Sequence, residues 1–341
     1  MRSLRAGRFS LRYRPRALAV GAGCLLVTVI AGIVSLGSGD YPMSPAEVMQ
    51  ALTGNSSPAD EFIVGQLRLP RLVAAMLTGA ALALAGAVFQ ALVRNPLGSP
   101  DLLGVTQGAA TGALATVAAG GNSAVLAGGA AAGGLAAGIT IFLLAWRRGV
   151  HGYRLILVGI GVAAVLTGVN GYLLTRSQLT EAARAVLWLT GSLDGRGWPE
   201  TLPLIVAMVP LVPVVLLGCG RGLRVLELAD DTAYGLGVRV QRVRLVLLLS
   251  AVLLVSFAAA TAGPVSFVAL AAPQLARRMT GSPGPNLLPS LCTGAALLVI
   301  ADWVGGHLVP GHQLPVGVVT GLLGGAYLVW LLAVERRAGR I

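Results

Sequence analysis

Residues 68–104 read RLPRLVAAMLTGAALALAGAVFQALVRNPLGSPDLLG: two arginines, a long apolar run, a third arginine, then a turn rich in Pro, Gly and Ser. About 20 apolar residues carry an α-helix across a bilayer, and segment 69–92 meets that length. Arg68 and Arg71 sit three apart at the expected helix start, so they project from one face. The N-terminal end of a helix is already positive, so cations gain nothing there from the backbone. Their use then lies with an acidic partner or with lipid headgroups. Asn95, Pro96, Pro100 and Gly104 mark an ordered re-entry turn at the far end of the span.

Working outward, nine more segments read as spans, near 17–37, 104–121, 123–146, 154–175, 201–220, 244–262, 265–280, 287–307 and 315–334. The middle of 104–146, Ala118-Ala119-Gly120-Gly121-Asn122, reads as a tight turn or as a softened continuous helix. A basic N-terminus (1–16) precedes the single transmembrane domain (17–334), and a short tail (335–341) follows it. Between the first two spans, Ser44 before Pro45 is a helix start signal and predicts an amphipathic surface helix. Threading ten spans with the N-terminus inside puts 20 of the 25 basic residues inside; Arg68, Arg71, Arg176, Arg184 and Arg196 lie outside. That asymmetry follows the positive-inside rule, and one span more or fewer would scramble it. Both termini are therefore expected in the cytoplasm.

Composition excludes a water-soluble fold. Of 341 residues, 55% are hydrophobic and 11% charged, with mean hydropathy +0.80, whereas a soluble domain carries about 25% charged residues. Forty-seven glycines suit helices packed closely in lipid. Every basic residue is arginine. A Walker A loop needs a lysine to reach the β- and γ-phosphates, so this chain does not hydrolyse ATP by that route and any ATP use belongs to a partner. The net charge of +12 lies in short clusters between apolar runs, which argues for a membrane and against nucleic acid. Cys24, Cys219 and Cys292 fall in three different apolar segments and read as small core residues. The histidines His151, His307 and His312 lack metal-ligand spacing, and no catalytic set emerges.

Two further features stand out. The inward loop 221–243 holds Leu226, Leu228, Tyr234, Leu236 and Val238, too many apolar groups to leave in water without a cover. Asp230 or Asp231 is placed to cap a short helix there, and Gly235 and Gly237 to break it before a second short helix near 238–243. Asp302 is the one acid deep in an expected span, a functional candidate by default. A structural hydrogen bond within the bundle is the reading preferred over proton coupling. Trp188 and Trp198, in an outer segment with Arg184, Asp194, Arg196 and Glu200, read either as headgroup anchors or as part of an outer mouth.

Several motifs in order resemble the FecCD permease family: Arg68–Arg71 (RLPR), Arg94–Gly104, Trp188–Leu193 (WLTGSL), Gly263–Phe267 (GPVSF) and Leu314–Thr320 (LPVGVVT). The match runs from about 17 to 334. The resemblance implies an all-α polytopic permease of the type II ABC importer fold, with about ten transmembrane helices, in a bacterial inner membrane. It implies a dimer with an identical or paralogous permease, a solute-binding protein outside and a dimer of ABC ATPase subunits inside, where ATP and Mg are used. No cofactor is expected on this chain. Coupling to the ATPase would fall on Leu226, Asp230, Asp231, Ala233, Gly235, Leu236 and Gly237. Docking of the binding protein would fall on Arg68 and Arg71, with His307 (or His312) partly in place of an arginine that relatives carry before Leu314-Pro315. The cargo implied is a ferric siderophore, with cobalamin or haem as alternatives. A secondary transporter or a membrane enzyme is the competing class.

Overall fold

The computed structural model describes the chain apart from residues 1, 7–8, 40, 102, 122, 147–151, 283, 310 and 338–341; for 2–6, 9–13, 123–124, 331–332 and 335–337 it describes the backbone alone. Arg147, Arg148, His151 and Arg340 thus lie outside the described residues, as does Asn122 of the expected turn.

A short antiparallel hairpin, β1 (Arg2–Ala6) and β2 (Phe9–Tyr13), precedes the first span and holds the only named strands among the described residues. The first span is α1 (Pro15–Gly37). Next comes α2 (Pro45–Leu52), whose start is closed as the sequence predicts. The Ser44 hydroxyl accepts from the Glu47 amide and the Glu47 carboxylate accepts from the Ser44 amide. Val48 and Ala51 on its inner face pack with Leu36, Met43 and Val64, while Met49 and Leu52 stay exposed.

The helix expected to begin at Arg68 begins ten residues earlier. α3 (Pro58–Phe62), a π-helical turn (Ile63–Arg68) and α4 (Leu69–Val93) form one continuous rod. Pro70 sits inside it, past the start expected at Arg68. The wide turn explains how. The Leu69 amide donates five residues back, to Val64. The next carbonyl, Gly65, would fall to Pro70, which has no N–H. The indole Nε1 of Trp198 donates to it instead, at 3.0 Å.

Then follow α5 (Val105–Ala118), α6 (Ser123–Ala145), α7 (Gly152–Arg176) and the surface helix α8 (Leu179–Leu189). The α5–α6 junction is a turn rather than a softened helix, with Gly120 at φ +73°. α9 (Trp198–Pro213) continues through a second π turn (Val214–Cys219) into α10 (Gly220–Leu226). The short α11 (Asp230–Gly235) leads to α12 (Val240–Ala262), α13 (Val268–Thr280), α14 (Leu287–His307) and α15 (Val316–Arg337). The second short helix expected over 238–243 is absent as a separate element. Gly237 turns the chain at φ +76°, and Val240 already opens the first turn of α12.

Among the described residues, seven of these helices are long and apolar enough to cross a membrane, and α15 is described as an apolar helix only over Val316–Trp330. Two more of the expected spans also fall short. α5 has 14 residues and α13 has 13, about 20 Å each at 1.5 Å per residue, against roughly 30 Å of hydrocarbon. Each is completed by a non-helical turn that dips into the bundle. Residues 94–104 carry Leu103 against Gly159 and Gly104 against Ala163, in the middle of α7; residues 263–267 carry Phe267 against Gly324, in the middle of α15. Two such turns, placed at opposite ends, make α4–α7 and α12–α15 inverted counterparts. α4 packs on α13 and α14 as α12 packs on α5 and α6.

The core is built around α4, α12 and α14. Small residues let them touch backbone to backbone. A Cβ on Gly79 would overlap the Gly294 carbonyl, and one on Gly294 would overlap that of Gly79. Gly108 and Gly112 on α5 meet Gly129 and Gly133 on α6 in the same reciprocal way.

Candidate functional site

The alternation of the helices gathers the polar residues of interest at two opposite ends. At one end, where α4 begins, Arg71 lies between three elements. Its Nε and Nη2 donate to the two oxygens of Asp302 on α14, at 3.0 and 3.1 Å. Its Nη1 reaches Gln313 at 3.1 Å and Asp194 at 3.5 Å. Such a fork is the strong geometry for a guanidinium and a carboxylate. The Asp302 side chain is 9% exposed, Arg71 25% and Asp194 67%, so the pair is sealed beneath and open above. Asp302 is therefore paired, by an arginine of a neighbouring helix.

Arg68 turns the other way. Its Nη1 and Nη2 donate to the carbonyls of Leu36 and Tyr41, both at 2.6 Å, and so hold the chain that leaves α1. His307 is exposed nearby in sequence to Asp302; its Nδ1 lies 2.8 Å from the Trp303 carbonyl and its ring stacks on Trp303. Trp188 is no headgroup anchor: it is buried among Ala109, Ala113 and Ala259. In the adjoining loop, burial pushes the Arg196 guanidinium down from its usual pKa, with Glu200 and Asp194 opposing.

At the other end α4 stops at Arg94, a residue in the left-handed region (φ 54°). The turn that follows is tied down locally. The Asn95 side chain accepts from the Leu97 amide, the Pro96 carbonyl accepts from Gln274 Nε2 on α13 at 2.8 Å, and the Leu103 amide donates to the Pro100 carbonyl. Gly104, at φ +80°, closes the turn where a side chain would press on the Ala163 backbone. Arg94 itself reaches the loop before α11. Its Nε and Nη2 donate to the Leu226 carbonyl, and Nη2 lies 2.5 Å from Asp230 Oδ1. Arg244 Nη2 donates to that same oxygen at 2.8 Å.

The residues expected to contact a partner here divide in two. Leu226 and Ala233 are buried and Asp230 is taken by two arginines, so these three position α11. Asp231, Gly235, Leu236 and Gly237 are exposed, and Leu228, Tyr234 and Leu236 leave 71%, 54% and 65% of their surface open. Asp230 does not cap α11. It is the first helical residue, after Ala229, and its carboxylate is spent on the arginines. Glu227, beside this helix, has its pKa pushed up by burial, against the pull of Arg277 and Arg224.

Neither ion pair was foreseen from the sequence, although one signal was present. Arg71 and Asp302 are opposite charges within apolar helices, and ionisable groups at that depth pair with one another. Nothing comparable marks the pairing of Arg94 with Asp230, 136 residues apart.

The chain is similar to known proteins over nearly its whole length. The model of the FecCD transport family matches residues 26–334. The ferric enterobactin transport system permease protein FepG of Escherichia coli (strain K12) is 44% identical over 321 residues, covering 92% of this chain and 96% of that protein. The achromobactin transport system permease protein CbrC of Dickeya dadantii (strain 3937) is 39% identical, covering 97% and 96%. A metal-chelate type ABC transporter solved in an inward-facing conformation superposes with a TM-score of 0.82 at 29% identity, over 93% of this chain and 99% of that one. With a family model spanning nearly its whole length and relatives alike from end to end, this chain, a multi-pass membrane protein, belongs to the FecCD transport family.

Proposed function

We propose that the chain is the permease subunit of a bacterial inner-membrane ABC importer that carries ferric siderophores, powered by ATP and Mg on separate ATPase subunits. The observation that carries this reading is the end-to-end likeness to iron-chelate permeases, with matching lengths on both sides. The exposed apolar flank of α11 supports the ATPase as a partner, because Leu228, Tyr234 and Leu236 need a cover. The α11 end and both chain termini then face the cytoplasm. Arg16 near the start of α1 donates to Met279 at the end of α13, and Arg278 lies over Trp330 late in α15, so both terminal helices share that end.

The opposite end receives the solute-binding protein, with Arg68, Arg71 and His307 in the docking region. Both arginines already hold acceptors of this chain, so an acidic group of the partner shares Arg71 with Asp194, the more exposed and more distant of its carboxylates. A second permease, identical or paralogous, completes the assembly. The chain needs no resident cofactor in this scheme. Alternating access follows when ATP binding moves α11 and rocks the inverted halves against each other.

The test is reconstitution. The complex purified through a tag on this chain from its native cells is placed in proteoliposomes with iron-55-labelled ferric enterobactin as the probe. Uptake that requires ATP and the binding protein supports the reading. Uptake without any nucleotide-hydrolysing subunit overturns it.

A further inference from the structure

The exposed flank of α11 accounts for how a partner grips this end, and leaves open how the grip reaches the bundle. α11 has six residues, and among its side chains only Ala233 is buried. A helix this short has little stability of its own, so whatever fixes its start fixes its direction. That start is Asp230, and one of its oxygens receives two guanidiniums.

The two arginines belong to different rods. Arg94 is the residue at which α4 ends, and Arg244 stands in the second turn of α12 with 7% of its side chain exposed. Arg94 makes a further contact that a lysine would not reproduce. While Nη2 reaches Asp230, Nε and Nη2 both point at the Leu226 carbonyl, one of the last-turn carbonyls of the α9–α10 rod that has no helical partner. A planar fork serves both acceptors at once, and a lysine offers a single point charge. Arg94 has a left-handed backbone, and its side chain leaves α4 to reach this loop. Four helix ends (α4, α10, α11 and α12) thus meet in one cluster, and α4 and α12 are the two central members of the inverted halves.

We propose that Arg94, with Arg244, is a positioning residue for ATP-driven transport: it clasps Asp230 and Leu226 so that a displacement of α11 is passed directly to the ends of α4 and α12. Arg94 acts through Asp230 and Leu226, both residues of this chain. The inference rests on the importer reading above, and its test has one arm that does not.

The independent arm is amide hydrogen exchange on the full chain in detergent. In Arg94→Ala, exchange across residues 228–238 speeds up about tenfold while the interior of α12 keeps its protection; Arg94→Lys gives a smaller change in the same peptides. Unchanged exchange in Arg94→Ala overturns the clasp. The second arm uses the native complex in proteoliposomes with iron-55-labelled ferric enterobactin. Allosteric couplings are typically worth 5–150-fold, and Arg94→Ala is expected to lower cargo moved per ATP hydrolysed about tenfold, with Arg94→Lys and Asp230→Asn in between. A merely structural role would lower uptake and hydrolysis together and leave their ratio unchanged, which overturns the proposal. Should Arg94→Ala fail to fold, Arg94→Lys and Asp230→Asn carry both measurements. If the wild-type complex contains no ATPase, the importer reading falls and the exchange arm alone judges the clasp.

Discussion

The two ends of the bundle use the same device in opposite ways. At the Arg71 end a guanidinium grips a carboxylate at 9% exposure with two parallel bonds, between two long rods. At the Asp230 end the Arg94 and Asp230 side chains are 41% and 34% exposed, and one partner sits on a six-residue helix. Breaking a dry pair strands a charge away from water, whereas a wet pair exchanges partners cheaply. The first end is built as a fixed bracket and the second as a joint that can be moved.

That contrast makes Asp302→Ala the most damaging single change expected outside the core. It leaves Arg71 largely buried without its carboxylate, at a cost of about 3 kcal/mol, read as a lowered midpoint in thermal unfolding in detergent. Arg94→Ala, which breaks the wet pair at the other end and leaves Asp230 to Arg244, should change that midpoint far less; equal losses would erase the distinction between bracket and joint. Gly86→Val probes the scaffold between the ends. A side chain there would run into the Ala269 backbone of α13, and overpacking of this kind costs about 1–3 kcal/mol. Its effect should be global, seen as reduced recovery in fluorescence-detected size exclusion.

Arg68→Ala removes two hydrogen bonds to carbonyls and frees the link from α1 to α2. The expected loss is about 1–3 kcal/mol, confined to faster proteolysis around residues 38–44. The smallest effect concerns pH. Glu227 has a folded pKa raised by burial, so its ionisation opposes the folded state. That penalty is absent below the unfolded carboxylate pKa and fully present once pH exceeds the raised one. Local protection at this end should therefore rise slightly as pH falls through that window, and Glu227→Gln should flatten the profile.

Most of the architecture was legible in the sequence because apolar length and arginine placement are both read directly from it. The Ser44 cap was legible for the same reason, since its partners lie within three residues. What escaped was set by distant contacts. Arg68–Arg71 looked like a helix start because the pattern is local, and the donor that relieves Gly65 and lets the rod run through Pro70 comes from Trp198. Spans 104–121 and 265–280 looked full length because Gly104, Val265 and Phe267 are apolar enough to pass, although their backbones are not helical. The division of 221–243 into buried positioners and exposed contacts depended on which face of α11 meets the bundle, and hydrophobicity alone does not choose between Ala233 and Leu236.

The two dipping turns have a consequence for how this protein tolerates change. Ordinary loops absorb insertions because extra residues simply spill into water. Residues 94–104 and 263–267 instead make up the depth that α5 and α13 lack, so their length is set by the thickness of the lipid film. One residue more would leave a polar peptide group with no partner in a medium without water. One residue fewer would pull a short helix out of register with the mid-helix glycine it rests on. In these two places the bilayer acts as a ruler for the polypeptide.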